Sequence, residues 1–73
     1  QKEYDDAVGH YRKALDIFPL NNSARFDLSR ALYRQGDFEE SLRELLKVRE
    51  SKSEGAFTDL YNALLPEIDG DGS

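Results

Sequence analysis

Cysteine, methionine and tryptophan are absent from this chain of 73 residues, which has a single histidine and two prolines. Without cysteine there is no disulfide framework and no thiolate zinc site, and the redox compartment is left open. His10 has no second histidine to pair with as a metal ligand. It stands off the apolar stripe of its segment with no carboxylate or nucleophile fixed beside it, so it reads as a solvated side chain. Nucleophile elbows and phosphate-cradling glycine loops are missing too, so no catalytic residue, metal ligand or cofactor is expected. The mean hydropathy is −0.74, and no apolar run approaches the roughly 18–20 residues that a membrane span needs. Positive charge is in deficit: 10 basic against 15 acidic residues give a net charge of −5, which argues against a nucleic-acid surface. A domain of this length buries only about 60% of its unfolded surface, too little to wall a deep active site. Gln1 is not a start methionine and no apolar leader follows it, so a signal or transit peptide is expected to be absent or already removed.

Helical periodicity fills the space that these absences leave. Tyr4, Ala7, Val8, Tyr11, Ala14, Leu15 and Phe18 recur at spacings of three, four and seven, which draws one stripe down a helix that Pro19 must end. A second pattern holds Ala24, Leu28, Ala31 and Leu32 with Phe26 and Tyr33 on neighbouring faces. Asn22 or Ser23 is its expected N-cap, and Gly36 its left-handed stop. Asp37-Phe38-Glu39-Glu40 reads as a capping box opening a third helix with Phe38, Leu42, Leu45, Leu46 and Val48 inward. On its surface, Glu39/Arg43, Glu40/Arg43 and Glu44/Lys47 are spaced for ordinary helix pairs. Ser51-Lys52-Ser53-Glu54-Gly55 is a polar break. A fourth helix carries Phe57, Leu60, Tyr61, Ala63, Leu64 and Ile68, and Pro66 is expected to break it or limit it to about three turns. No stretch alternates long enough for a strand, so the fold class is all-α.

A shift of 34 residues sets Gln1 on Gln35, Tyr4 on Phe38, Asp5-Asp6 on Glu39-Glu40, Ala7 on Ser41, Val8 on Leu42, Tyr11 on Leu45, Lys13 on Lys47 and Ala14 on Val48. That period, with a helix–turn–helix unit, is the tetratricopeptide spacing, and residues 1–54 resemble that family. The likeness lies in Leu28, Ala31, Leu32, Gly36-Asp37-Phe38 and Glu39-Glu40, and in a first helix that is similar to the second half of a preceding unit, with its closing Pro19-Leu20-Asn21 turn. Four positions depart from the family pattern: Arg25 for Trp, Ser29 for Gly, Ser41 for Ala and Ser53 for Pro. The resemblance implies an α–α superhelix of about four helices in antiparallel pairs. Residues 1–21 would be the second helix of a preceding repeat and 22–55 one complete repeat. Residues 56–68 would form a C-terminal capping helix, and 69–73 a flexible acidic tail. Opening in mid-unit suggests a fragment of a longer array, whose first helix lacks a partner and favours self-association.

The resemblance also implies a non-catalytic module that binds a protein or peptide on its concave face. Carried over by register, the groove-facing positions are Ser23, Phe26, Asp27, Arg30, Tyr33 and Arg34. Arg25, Arg30 and Arg34 against Asp27 make this helix locally basic, and guanidinium groups beside aromatics suit an extended peptide with acidic or C-terminal carboxylate groups. The chaperone-tail clamp known in one subclass is not expected, because Phe26 stands where a lysine belongs. The alternative is structural: stacking with further repeats or a second copy through Tyr4, Tyr11 and Phe18. A remote third reading takes Asp69-Gly70-Asp71-Gly72-Ser73, which resembles the opening of an EF-hand loop, as the start of a calcium-binding module. Asn21-Asn22-Ser23 matches the N-glycosylation pattern, but it lies in the inter-repeat turn, where Asn and Ser serve as caps, and the turn reading is the favoured one. Residues 1–49 hold nine acids and nine bases, so the whole −5 resides in Glu50, Glu54, Asp59, Glu67, Asp69 and Asp71 against Lys52. The tail is thereby a candidate competitor for the basic groove.

Overall fold

The computed structural model describes residues 2–48 and 54–69. Four α-helices follow one another: α1 (Lys2–Ile17), α2 (Asn22–Gln35), α3 (Phe38–Lys47) and α4 (Glu54–Asp69). There is no strand among the described residues. α2 packs on α1 and on α3, α3 packs on α4, and a narrower contact joins α2 to α4. None of these helices is long and apolar enough to cross a membrane.

Each helix end has a local cause. α1 closes with Phe18 N–H donating to the Ala14 carbonyl at 2.9 Å, and a tight turn through Pro19 returns Asn21 N–H to the Phe18 carbonyl at 3.0 Å. The cap of α2 is Asn21, one or two residues before the expected Asn22 or Ser23: its Oδ1 accepts from Ala24 N–H at 3.1 Å. The reason is the turn, which fixes Asn21 outside the helix with its side chain over the free amides of the first turn. Gly36, at φ 91°, ends α2. Gly36 N–H reaches the Tyr33 carbonyl and Asp37 N–H reaches the Leu32 carbonyl, the paired bonds of a Schellman stop that only glycine enters cheaply.

The expected capping box at α3 does not form. Asp37 is the N-cap residue but makes no side-chain cap bond, and Glu40 turns outward to meet Arg12 of α1 at 2.6 Å. An ion pair between helices takes the carboxylate that would have closed the box. Pro66 does not break α4, which runs for 16 residues with the proline inside it. The missing Pro66 N–H costs one bond to the Asn62 carbonyl, and Leu64, wholly buried just before it, holds the helix on α3. Gly55 likewise lies within α4 and not in a break.

The core has two centres. Val8, Leu28, Ala31 and Leu32 join α1 to α2, with Ala7, Tyr11 and Leu15 against them. Leu45, Leu60 and Leu64 join α3 to α4, with Phe26, Tyr33, Phe38, Leu42, Phe57 and Tyr61 around them. Leu46, assigned inward by periodicity, is exposed, whereas Val48 is buried. Leu60 and Leu64 repeat the burial of Leu28 and Leu32 at a spacing of 32, two short of the 34-residue period.

Candidate functional site

Two of the departures from the repeat pattern prove to be paired across helices. Ser29 and Ser41 are both fully buried between α2 and α3. Ser29 Oγ donates to the Ser41 carbonyl at 2.7 Å, and Ser41 Oγ donates to the Ser29 carbonyl at 2.6 Å. Small side chains let the helices meet, and each hydroxyl, a donor that Gly and Ala lack, finds a backbone acceptor on the facing helix. Arg25 is also turned inward. It pairs with Glu44 of α3 at 2.7 Å, each side chain only 15% exposed, and donates to the Pro19 carbonyl at 2.7 Å. It therefore fastens the α1–α2 turn to α3 and does not add to the basic face. Of the surface pairs expected within α3, Glu44/Lys47 forms at 3.7 Å, Glu40 is taken by Arg12, and Glu39 and Arg43 are not within ion-pair distance of each other.

With Arg25 withdrawn, Arg30 and Arg34 form a ridge along α2 between two shallow grooves. The first, of about 330 Å³, lies between α2 and α4 and is lined by Phe26, Arg30, Tyr33 and Arg34 on one side and by Ala56, Asp59, Leu60 and Ala63 on the other. The second, of about 320 Å³, lies between α1 and α2. Tyr4, Ala7 and Tyr11 face Asp27, Arg30, Ala31 and Arg34 there. Five of the six residues assigned to the concave face thus border a groove, and Ser23 is exposed and borders neither. Tyr33 packs edgewise on Phe38 with centroids 5.7 Å apart, which fixes the ring that floors the first groove. Arg30 lies 3.8 Å from Asp27, whereas Arg34 has no carboxylate within ion-pair distance among the described residues.

The three residues assigned to a stacking surface do not lie together. Tyr4 and Tyr11 are half-buried in the α1–α2 groove, and Phe18 stands at the far end of α1, 67% exposed, beside Ile17 at 70% and Leu20 at 91%. A third, polar hollow is bordered by Asp37, Glu39, Glu40 and Glu67 with Arg43. No group of three or more metal-type ligands occurs among the described residues. His10 is exposed, and residues 70–73 of the acidic tail lie outside the described residues.

The α4 wall, with Ala56, Asp59, Leu60 and Ala63, was not among the positions assigned to the groove, although Phe57, Leu60, Ala63 and Leu64 also fit the first helix of a third unit shifted by two residues. The signal was present: a shift of 32 sets Asp59 on Asp27 and Ala63 on Ala31, both of which line the other groove. This match falls two residues short of the 34-residue period, so the alignment that pairs α1 with α3 does not bring it out.

Helix–turn–helix pairs laid side by side, with α2 and α4 walling one open groove, define an α-solenoid repeat segment. A family model described as Tetratricopeptide repeat matches residues 1–65, and the chain belongs to that family. Family membership points to a protein–protein interaction module, typically non-catalytic. No curated protein and no solved structure matches the chain significantly.

Proposed function

We propose that the chain holds an extended peptide or partner segment in the α2–α4 groove, with acidic or C-terminal carboxylate groups of the ligand meeting Arg30 and Arg34. The observation that carries this reading is the groove itself: two arginines stand on the rim of a cleft floored by Phe26, Tyr33 and Leu60. Aromatic floors give contact area at low entropic cost, and guanidinium groups take carboxylates with paired donors. The volume, about 330 Å³, accommodates a few side chains and is too shallow to exclude water for chemistry. In this reading α4 has two tasks, covering the apolar side of α3 as a cap and walling the groove. Titration of an extended acidic peptide against the wild-type chain and an Arg30→Ala/Arg34→Ala variant tests it by calorimetry. A drop of about tenfold or more is expected for the variant, corresponding to about 1.4 kcal/mol; equal affinities refute it.

A second reading rests on a different observation. Ile17, Phe18 and Leu20 expose apolar surface together at the α1–α2 turn, and such a cluster supports stacking on another repeat or a second copy. These exposures support the structural alternative at the end of α1 in preference to its tyrosines.

A further inference from the structure

The two rims of the α2–α4 groove carry opposite charge. Arg30 and Arg34 stand on the α2 side and Asp59 on the α4 side, and all three are exposed. Asp59 lies within 4.0 Å of no cation among the described residues. The helix explains why. Asp27, the α2 residue that a shift of 32 sets on Asp59, has Arg30 three residues later and approaches it at 3.8 Å. The same position after Asp59 is Asn62, which brings no charge. Among the described residues Asp59 therefore presents an uncompensated carboxylate to the groove, while Arg30 shares its charge with Asp27 and Arg34 is the α2-rim cation with no carboxylate partner.

We infer that the groove selects a mixed-charge segment: an apolar side chain on the floor, an acidic one toward Arg34 and a basic one toward Asp59. This rests on the peptide-binding reading above. An extended polyproline-type segment has about three residues per turn, so its side chains point in three directions and can meet floor and both rims at once. The floor of Phe26, Tyr33 and Leu60, with the small Ala56 and Ala63 opposite, accepts an aliphatic side chain. A segment with acids on both edges meets Arg34 favourably and Asp59 unfavourably, so Asp59 acts as a specificity residue that limits the acidity of the partner.

The test uses two fluorescein-labelled peptides of equal length, one with leucine, aspartate and lysine in consecutive positions, the other with aspartate replacing the lysine. Fluorescence anisotropy is measured with the wild-type chain, Asp59→Asn and Arg34→Ala, with circular dichroism confirming equal helicity. Wild type is expected to bind the mixed-charge peptide about fivefold more tightly than the diacidic one, Asp59→Asn to remove that difference, and Arg34→Ala to weaken both. Equal wild-type affinity for the two peptides, or a preference that survives Asp59→Asn, overturns the charge-split inference while leaving the groove reading intact. Failure of both Arg34→Ala and the double arginine variant to weaken either peptide overturns the groove reading itself.

Discussion

At the scale of single residues, two departures from the repeat pattern, Ser29 and Ser41, answer each other across α2 and α3. Ser29 and Ser41 share two protons between three oxygen contacts: each hydroxyl donates to the other residue's carbonyl, and the two Oγ atoms sit 3.0 Å apart. With both protons directed at carbonyls, the Oγ–Oγ contact carries no bond of its own. Ser29→Ala and Ser41→Ala are each expected to cost about 1 kcal/mol, and the double variant close to the sum, because neither substitution leaves the other hydroxyl unpaired. Urea unfolding followed by circular dichroism measures the cycle; a coupling above about 1 kcal/mol would show that the hydroxyls bond each other and not the backbone. Arg25 and Glu44 illustrate the same principle with charge, since the arginine that replaces an aromatic keeps its partly buried position only because Glu44 and the Pro19 carbonyl receive it.

At the scale of elements, α4 shows how packing overrides a local signal. Pro66 lacks the donor for the Asn62 carbonyl and its ring crowds that turn, yet the helix continues to Asp69. Leu60 and Leu64 explain the persistence: both are buried against Leu45, and Phe57 stacks on Tyr61 with centroids 5.8 Å apart. Pro66→Ala is therefore expected to raise the melting temperature and deepen the helical dichroism, with a gain of about 1–3 kcal/mol as the carbonyl regains its bond. An unchanged melting temperature would mean that the proline's cost is already offset where it sits. The Gly36 stop followed local chemistry, whereas the Pro66 stop and the capping bonds at the starts of α2 and α3 did not. Both starts depend on where the preceding turn delivers the chain and on which neighbour competes for the capping carboxylate.

At the scale of the whole molecule, burial is uneven along the repeat. Tyr11 and Ala14 are half-buried, while Leu45 and Val48, 34 residues later, are 0% and 2% exposed. The second set is covered from two sides, by α2 and α4, and the first chiefly by α2. The same asymmetry leaves Ile17, Phe18 and Leu20 in solvent. If the stacking reading holds, sedimentation of the wild-type chain shows its mass rising above 8.4 kDa with concentration. A Phe18→Ser/Leu20→Ser variant is then expected to stay monomeric. A strictly monomeric wild type at millimolar concentration refutes self-association through this surface. The net charge divides with the architecture as well: the acidic excess lies after residue 49, and among the described residues of that segment Asp59 lines the α2–α4 groove.

The sequence by itself determined the helical class, the repeat period, the Gly36 stop and most of the α2 ridge. These follow from periodicity and backbone preference, which act within a few residues of chain. It also carried Phe26, Tyr33, Arg30 and Arg34 to one groove, because positions three and four apart on a helix share a face. Tertiary structure alone decided that Arg25 meets Glu44 and that Glu40 meets Arg12, since a long charged side chain can reach a partner on a neighbouring helix as well as one at helix spacing. It alone also set Asp59 opposite Arg34. The walls of this groove come from helices that begin at Asn22 and Glu54, 32 residues apart, and their register depends on how Leu60 and Leu64 seat against α3. Local propensity has no means of fixing that register; packing does.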